Sequence, residues 1–152
     1  MDWFSKAFLK SSLAWFGIGT TLGAVMSTWP NATMYRTAHF HMNLLGFVSM
    51  MIFGVAYHVI PRFVGHPLHR RRLAEAHWWV ANIALAILST GFMLMPTIGA
   101  RAFPVQAVGG TLSAVGAYLF IYNIWRTLDG PKILRRVQQQ KQPSSLPLLQ
   151  RD

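Results

Sequence analysis

Cysteine is absent from the 152 residues, and only four residues are acidic. The first absence excludes disulfide frameworks, thiolate zinc sites, iron–sulfur clusters and covalent haem attachment through a Cys-x-x-Cys-His run. Charge of either sign is scarce at 12%, against 53% hydrophobic residues. An ordinary soluble domain or a disordered chain does not have that balance. What remains is a membrane composition.

The net charge of +10 and pI near 11.2 would suit nucleic acid if the basic residues formed a patch. They do not. Uncharged runs of 25, 25, 25 and 24 residues occupy positions 11–35, 37–61, 76–100 and 102–125. Each is long enough for a tilted helix across a hydrocarbon core of about 30 Å. Four such crossings put both termini on one side, with twelve of the fourteen Lys and Arg beside them and only Arg36 and Arg101 opposite. Positive charge gathers on the cytoplasmic side, so the expected topology has both termini in the cytoplasm of a bacterial-type inner membrane. The basicity is topological, and nucleic acid is not an expected partner.

The predicted architecture is an all-α integral membrane protein, with a four-helix transmembrane domain over 1–126 and a basic, polar cytoplasmic tail over 127–152. Residues 1–10 read as a short basic, aromatic lead (Trp3, Phe4, Lys6, Phe8 and Lys10) that anchors the chain at the interface. The apolar run after it is too long for a signal peptide and has no small-x-small cleavage site. The expected helices cover about 12–29, 37–62, 75–96 and 103–126. Asn31-Ala32-Thr33 is a turn, and 132–140 is expected to form a short surface helix. Gly109, Gly110 and Gly116 read as close-packing positions, since small residues let membrane helices approach.

The second helix carries His39, His41 and His58. Ionisable side chains at membrane depth are costly and mark functional groups. At 100° per residue His39 and His41 point about 200° apart, so they cannot reach one metal ion but can serve two sites. His39 shares its predicted face with Asn43, Gly46, Met50 and Tyr57, and His41 with Leu45, Val48, Ile52 and Val59. Gly46 leaves room there for either a flat, bulky ligand or a close-packed helix. His58 lies about 25 Å further along at 1.5 Å per residue. With Tyr57 it could join His77 in a second, inner site, serve a proton path, or be structural. His66 and His69 read as solvated or headgroup contacts. His77, Trp78 and Trp79 read as inner-interface residues.

The run Ala38-His39-Phe40-His41, an apolar stretch with Gly46, then Tyr57 and Ile60-Pro61, resembles the tenth transmembrane helix of subunit I of the haem–copper oxidase and nitric oxide reductase superfamily. Arg36-x-x-His39 also resembles the start of that family's second helix in its cytochrome-c-dependent and NO-reducing branches. The resemblance covers about 26 residues. It implies that His39 ligates a high-spin haem iron and His41 a low-spin one; the expected haem is b-type, with Arg36 one turn above to pair with propionates. The family's copper site needs further histidines near the outer side. Here the third and fourth helices offer only His77, at the inner end, so copper is not expected. Subunit I has twelve spans in three pseudo-equivalent four-helix units, which a four-helix chain could reproduce as a homotrimer. Each interface would then collect one His39 and one His41.

The expected function is electron transfer through a His–His ligated haem b, with a quinol or a larger respiratory complex as redox partner. The alternatives are an NO- or O₂-reducing or gas-binding haem protein, and a haem-free assembly subunit or transporter.

Overall fold

A computed structural model describes residues 1–130, and every regular element among them is helical. The expected surface helix over 132–140 and the remainder of the tail lie outside the described residues. Helix α1 spans Trp3–Thr28, α2 Arg36–His41, α3 Met50–Phe63, α4 Arg71–Ile98 and α5 Phe103–Asp129. A 3-10 turn over Pro30–Tyr35 leads into α2, a π-helical stretch over Met42–Ser49 joins α2 to α3, and a second 3-10 turn over Gly99–Ala102 joins α4 to α5. Two continuous stretches, Pro30–Phe63 and Arg71–Asp129, are long and apolar enough to cross a membrane.

Helix packing follows from which residues touch. An added Cβ on Gly19, Gly23 or Gly54 would meet Asn43, His39 or Leu9, so α1 runs antiparallel to the rod formed by α2, the π stretch and α3. Trp15 and Trp78 reach from α1 and α4 to Asn82 and Ser11 at 3.2 and 3.0 Å, which sets those two helices parallel. Between α4 and α5, Gly91 abuts Gln106 and Gly109 abuts Leu88, so the 59-residue stretch doubles back on itself as a hairpin. At one end of the bundle Arg71 pairs with Asp2 at 2.7 Å and Trp3 donates to Glu75 at 3.2 Å.

The first helix starts nine residues before the expected position, and one stripe of its lead belongs to the core. Phe4 and Phe8 are fully buried, with Ser5 and Ser12 beside them. The spacing explains this: positions 4, 8 and 12 fall on one helical stripe, and Lys6 and Lys10 on the exposed flank. Phe4 meets Tyr57 edge-on at 5.7 Å, and Phe8 lies 4.8 Å from the His77 ring.

The π stretch also changes the facing read from a regular helix. Ala38, Met42, Gly46, Met50 and Gly54 are buried, each four residues after the last, while Phe40, Leu44, Val48 and Ile52 form the outward stripe. An α-helix at 3.6 residues per turn rotates such a stripe by about 40° per step. Wider i→i+5 turns cancel that drift, and Ser49 marks them by donating to the Leu44 carbonyl at 2.9 Å. Gly46 and Met50 therefore leave the predicted His39 face and point into the bundle.

Gly109 has no room for a methyl group, because an added Cβ would lie 2.6 Å from Leu88 Cα, whereas Gly110 faces open space. Gly109→Ala should force α4 from α5 and cost about 1–3 kcal/mol. Gly110→Ala should be neutral or stabilising by up to about 1 kcal/mol. Thermal unfolding of the two variants in detergent checks the contrast, and equal melting temperatures would contradict the packing.

Candidate functional site

His39 stands on the first turn after the 3-10 entry and leans on α1. Its Nδ1–H donates to the Gly19 carbonyl at 2.8 Å, since a carbonyl oxygen can only accept. Asn43 Nδ2 lies 3.3 Å from the same nitrogen but donates to the His39 carbonyl at 2.9 Å. Gly23 supplies the seat: a Cβ there would come 2.8 Å from His39 Cε1. Asn43, expected on the His39 face, thus lies beside the ring.

His41 is set by the same device in a different place. Its Nδ1–H donates to the Thr37 carbonyl one turn back at 2.8 Å, and its ring stacks on Phe92 of α4 at 4.7 Å and 28°. Both imidazoles are half-buried. With Nδ1 carrying the proton, the neutral ring leaves a lone pair on Nε2, the arrangement that metal-ligating histidines adopt. Among the described residues no hydrogen bond falls on either Nε2. The two rings sit on opposite shoulders of the outward Phe40–Leu44 stripe, His39 toward α1 and His41 toward α4, so one chain does not bring them to a common point.

Arg36 is exposed at the start of α2, one turn ahead of His39. Gly46 takes the second of its two expected roles: an added Cβ would strike Trp15 Cβ at 2.6 Å and Leu85 Cδ2 at 2.9 Å, so helix packing fills the space a flat ligand would need. An open apolar groove of about 580 Å³ lies elsewhere, between α1 residues Gly17, Ile18 and Thr21 and the side chains of Met42 and Met93. That is within the usual size of cofactor sites.

Of the readings left open for His58, a site shared with His77 is not assembled by this chain. Arg62 caps His58, with its NH1 3.0 Å from His58 Nδ1 and a further bond to the His58 carbonyl. His77 is fully buried and pairs instead with Tyr57, 3.0 Å from the phenol oxygen to Nδ1. Neighbouring positions on a helix diverge by 100°, which sends Tyr57 inward and His58 away. Among the described residues no three His or acidic groups converge as a metal cluster. In the loop before α4, the His69 main-chain N–H donates to Thr127 Oγ1 at 3.0 Å. Partial burial, then Arg126 and Arg70, hold His69 below the ordinary histidine pKa.

Sequence reasoning missed the Gly19 and Thr37 carbonyls, the Gly23 seat and the Phe92 stack. The signal available was the glycine spacing of α1, whose positions 19 and 23 match 43 and 39 across an antiparallel pair.

These features define a helical, membrane-type protein with two imidazoles each tied through Nδ1 to a main-chain carbonyl. The family profile of cytochrome C and quinol oxidase polypeptide I matches residues 3–130, and the chain belongs to that family, within the haem–copper oxidase subunit I superfamily. It is 26% identical over 155 residues to the cbb3-type cytochrome c oxidase subunit CcoN1 of Stutzerimonas stutzeri, covering 82% of this chain and 33% of that protein. Cytochrome c oxidase polypeptide 1 of Halobacterium salinarum is 30% identical over 138 residues, covering 78% and 23%. Cytochrome c oxidase subunit 1 of Rhodobacter capsulatus is 27% identical over 148 residues, covering 77% and 28%. The chain thus spans 23% to 33% of the length of these relatives.

Gly23→Ala should push the His39 ring off its seat and break the bond to Gly19, changing the ring ¹⁵N signals in NMR. Gly17→Ala meets nothing within 4 Å and should leave those signals in place. An unchanged His39 spectrum in Gly23→Ala would contradict the seat.

Proposed function

We propose that this chain is a membrane-embedded electron carrier that binds b-type haem through His39 and His41. It crosses a bacterial-type inner membrane four times, with both termini cytoplasmic. The observation that carries this reading is the matched pair of Nδ1–H bonds to main-chain carbonyls, which leaves both Nε2 lone pairs free. A polar, unpartnered nitrogen at membrane depth is costly unless it has a ligand. Bound in this way, haem iron with two axial imidazoles supplies a low-spin, one-electron centre. The protein's part is to fix ring orientation, to supply an apolar wall and to offer Arg36 to carboxylates at the outer edge.

Opposite placement of the two rings favours a homo-oligomer. One chain cannot give both nitrogens to one iron, but adjacent copies can, one contributing His39 and the next His41. Three copies would close such a ring. The apolar stripe through Phe40, Leu44, Val48 and Ile52 lies between the two shoulders and faces outward, where a neighbouring copy or lipid covers it. Quinol or a respiratory complex is the proposed redox partner.

Purified protein should carry haem, and His39→Ala or His41→Ala should each lower haem per chain by at least about 10-fold or leave it five-coordinate and CO-reactive. Arg36→Leu should weaken haem retention less than either. An unchanged low-spin spectrum in both histidine variants would overturn the assignment.

A further inference from the structure

His77 poses a separate problem from the outer histidines. Its ring is completely buried among Phe8, Phe53, Tyr57 and Phe120, and its Nε2 has no hydrogen-bond partner. A buried nitrogen left unpaired costs about 1–3 kcal/mol. The ring borders a partly enclosed cavity of about 60 Å³, which Ser49 and Ser113 also line. That volume exceeds the roughly 10–15 Å³ one water needs.

The hydrogen-bond inventory says what could fill it. Ser49 spends its hydroxyl hydrogen on the Leu44 carbonyl and Ser113 on the Gly109 carbonyl, both at 2.9 Å, so each oxygen can now only accept. Tyr57 lies 3.0 Å from His77 Nδ1 and has a hydroxyl hydrogen to give. With Tyr57 O–H donating to Nδ1, the neutral ring carries its proton on Nε2. The cavity then offers one donor, His77 Nε2–H, and two acceptors, Ser49 Oγ and Ser113 Oγ.

We propose that the cavity beside His77 is a binding site for a small molecule that accepts one hydrogen bond and donates two, and that water is its occupant. Such a water makes three bonds, the usual number for an internal one. Diatomic gases donate nothing and leave both serine oxygens unserved. An apolar guest leaves His77 unserved as well. The site lies on α4, α5 and the π stretch, and it stands whether or not haem binds at the outer histidines.

The test is an experimental structure of the full chain in lipid, at a resolution that resolves water, together with ¹⁵N NMR of the His77 ring. The expected result is ordered density about 2.7–3.2 Å from His77 Nε2 and a ring protonated on Nε2. In a Ser49→Ala/Ser113→Ala double variant, which keeps His77 and Tyr57, that density should be lost while the Tyr57–His77 bond persists. An empty cavity that takes up xenon under pressure, or a His77 ring protonated on Nδ1, would overturn the proposal. Water retained unchanged in the double variant would overturn the part given to the serines.

Discussion

Two main-chain carbonyls set the orientation of the imidazoles on which the proposed function rests. Gly19 and Thr37 each take the Nδ1 proton of a histidine, at 2.8 Å in both cases. A free imidazole in a membrane could carry its proton on either nitrogen. Tied in this way, His39 and His41 present the same atom, Nε2, as a lone-pair donor on opposite shoulders of one rod. The acceptors differ in origin, one from a neighbouring helix and one from the preceding turn, yet the electronic outcome is the same.

Helix packing holds that arrangement in place. Apolar burial gives little drive between helices in lipid, so close backbone approach and shape must do more. Glycines at 19, 23, 46 and 54 bring α1 and the rod together, and those at 91 and 109 do so for α4 and α5. The π stretch that begins one residue after His41 keeps Met42, Gly46 and Met50 buried while the outward stripe stays apolar. Without it the rod would rotate against its neighbours, and the histidines would lose their register with Gly23 and Phe92.

Much of the helical layout was legible because charge is so scarce: long uncharged runs and the placement of Arg and Lys mark the elements directly. The divergence of His39 and His41 followed from helix geometry alone. Three things were not legible. The basic lead hid Phe4 and Phe8 on a buried stripe, since Lys6 and Lys10 dominate its composition. The π turns carry no sequence signature, so the expected company of His39 beyond Asn43 was off by a fraction of a turn. That Tyr57 meets His77 without His58 depends on how α3 meets α4, whereas adjacency in sequence kept His58 in their company.

The proposed ligation of iron porphyrin in the bilayer rests on two free Nε2 atoms. The most direct measurement is the haem and iron content of the purified wild-type protein, with its reduced absorption spectrum before and after CO. Iron in proportion to chain and sharp bands that CO does not move are predicted. A colourless protein without iron would contradict ligation altogether, and a CO-shifted spectrum would contradict coordination by both imidazoles.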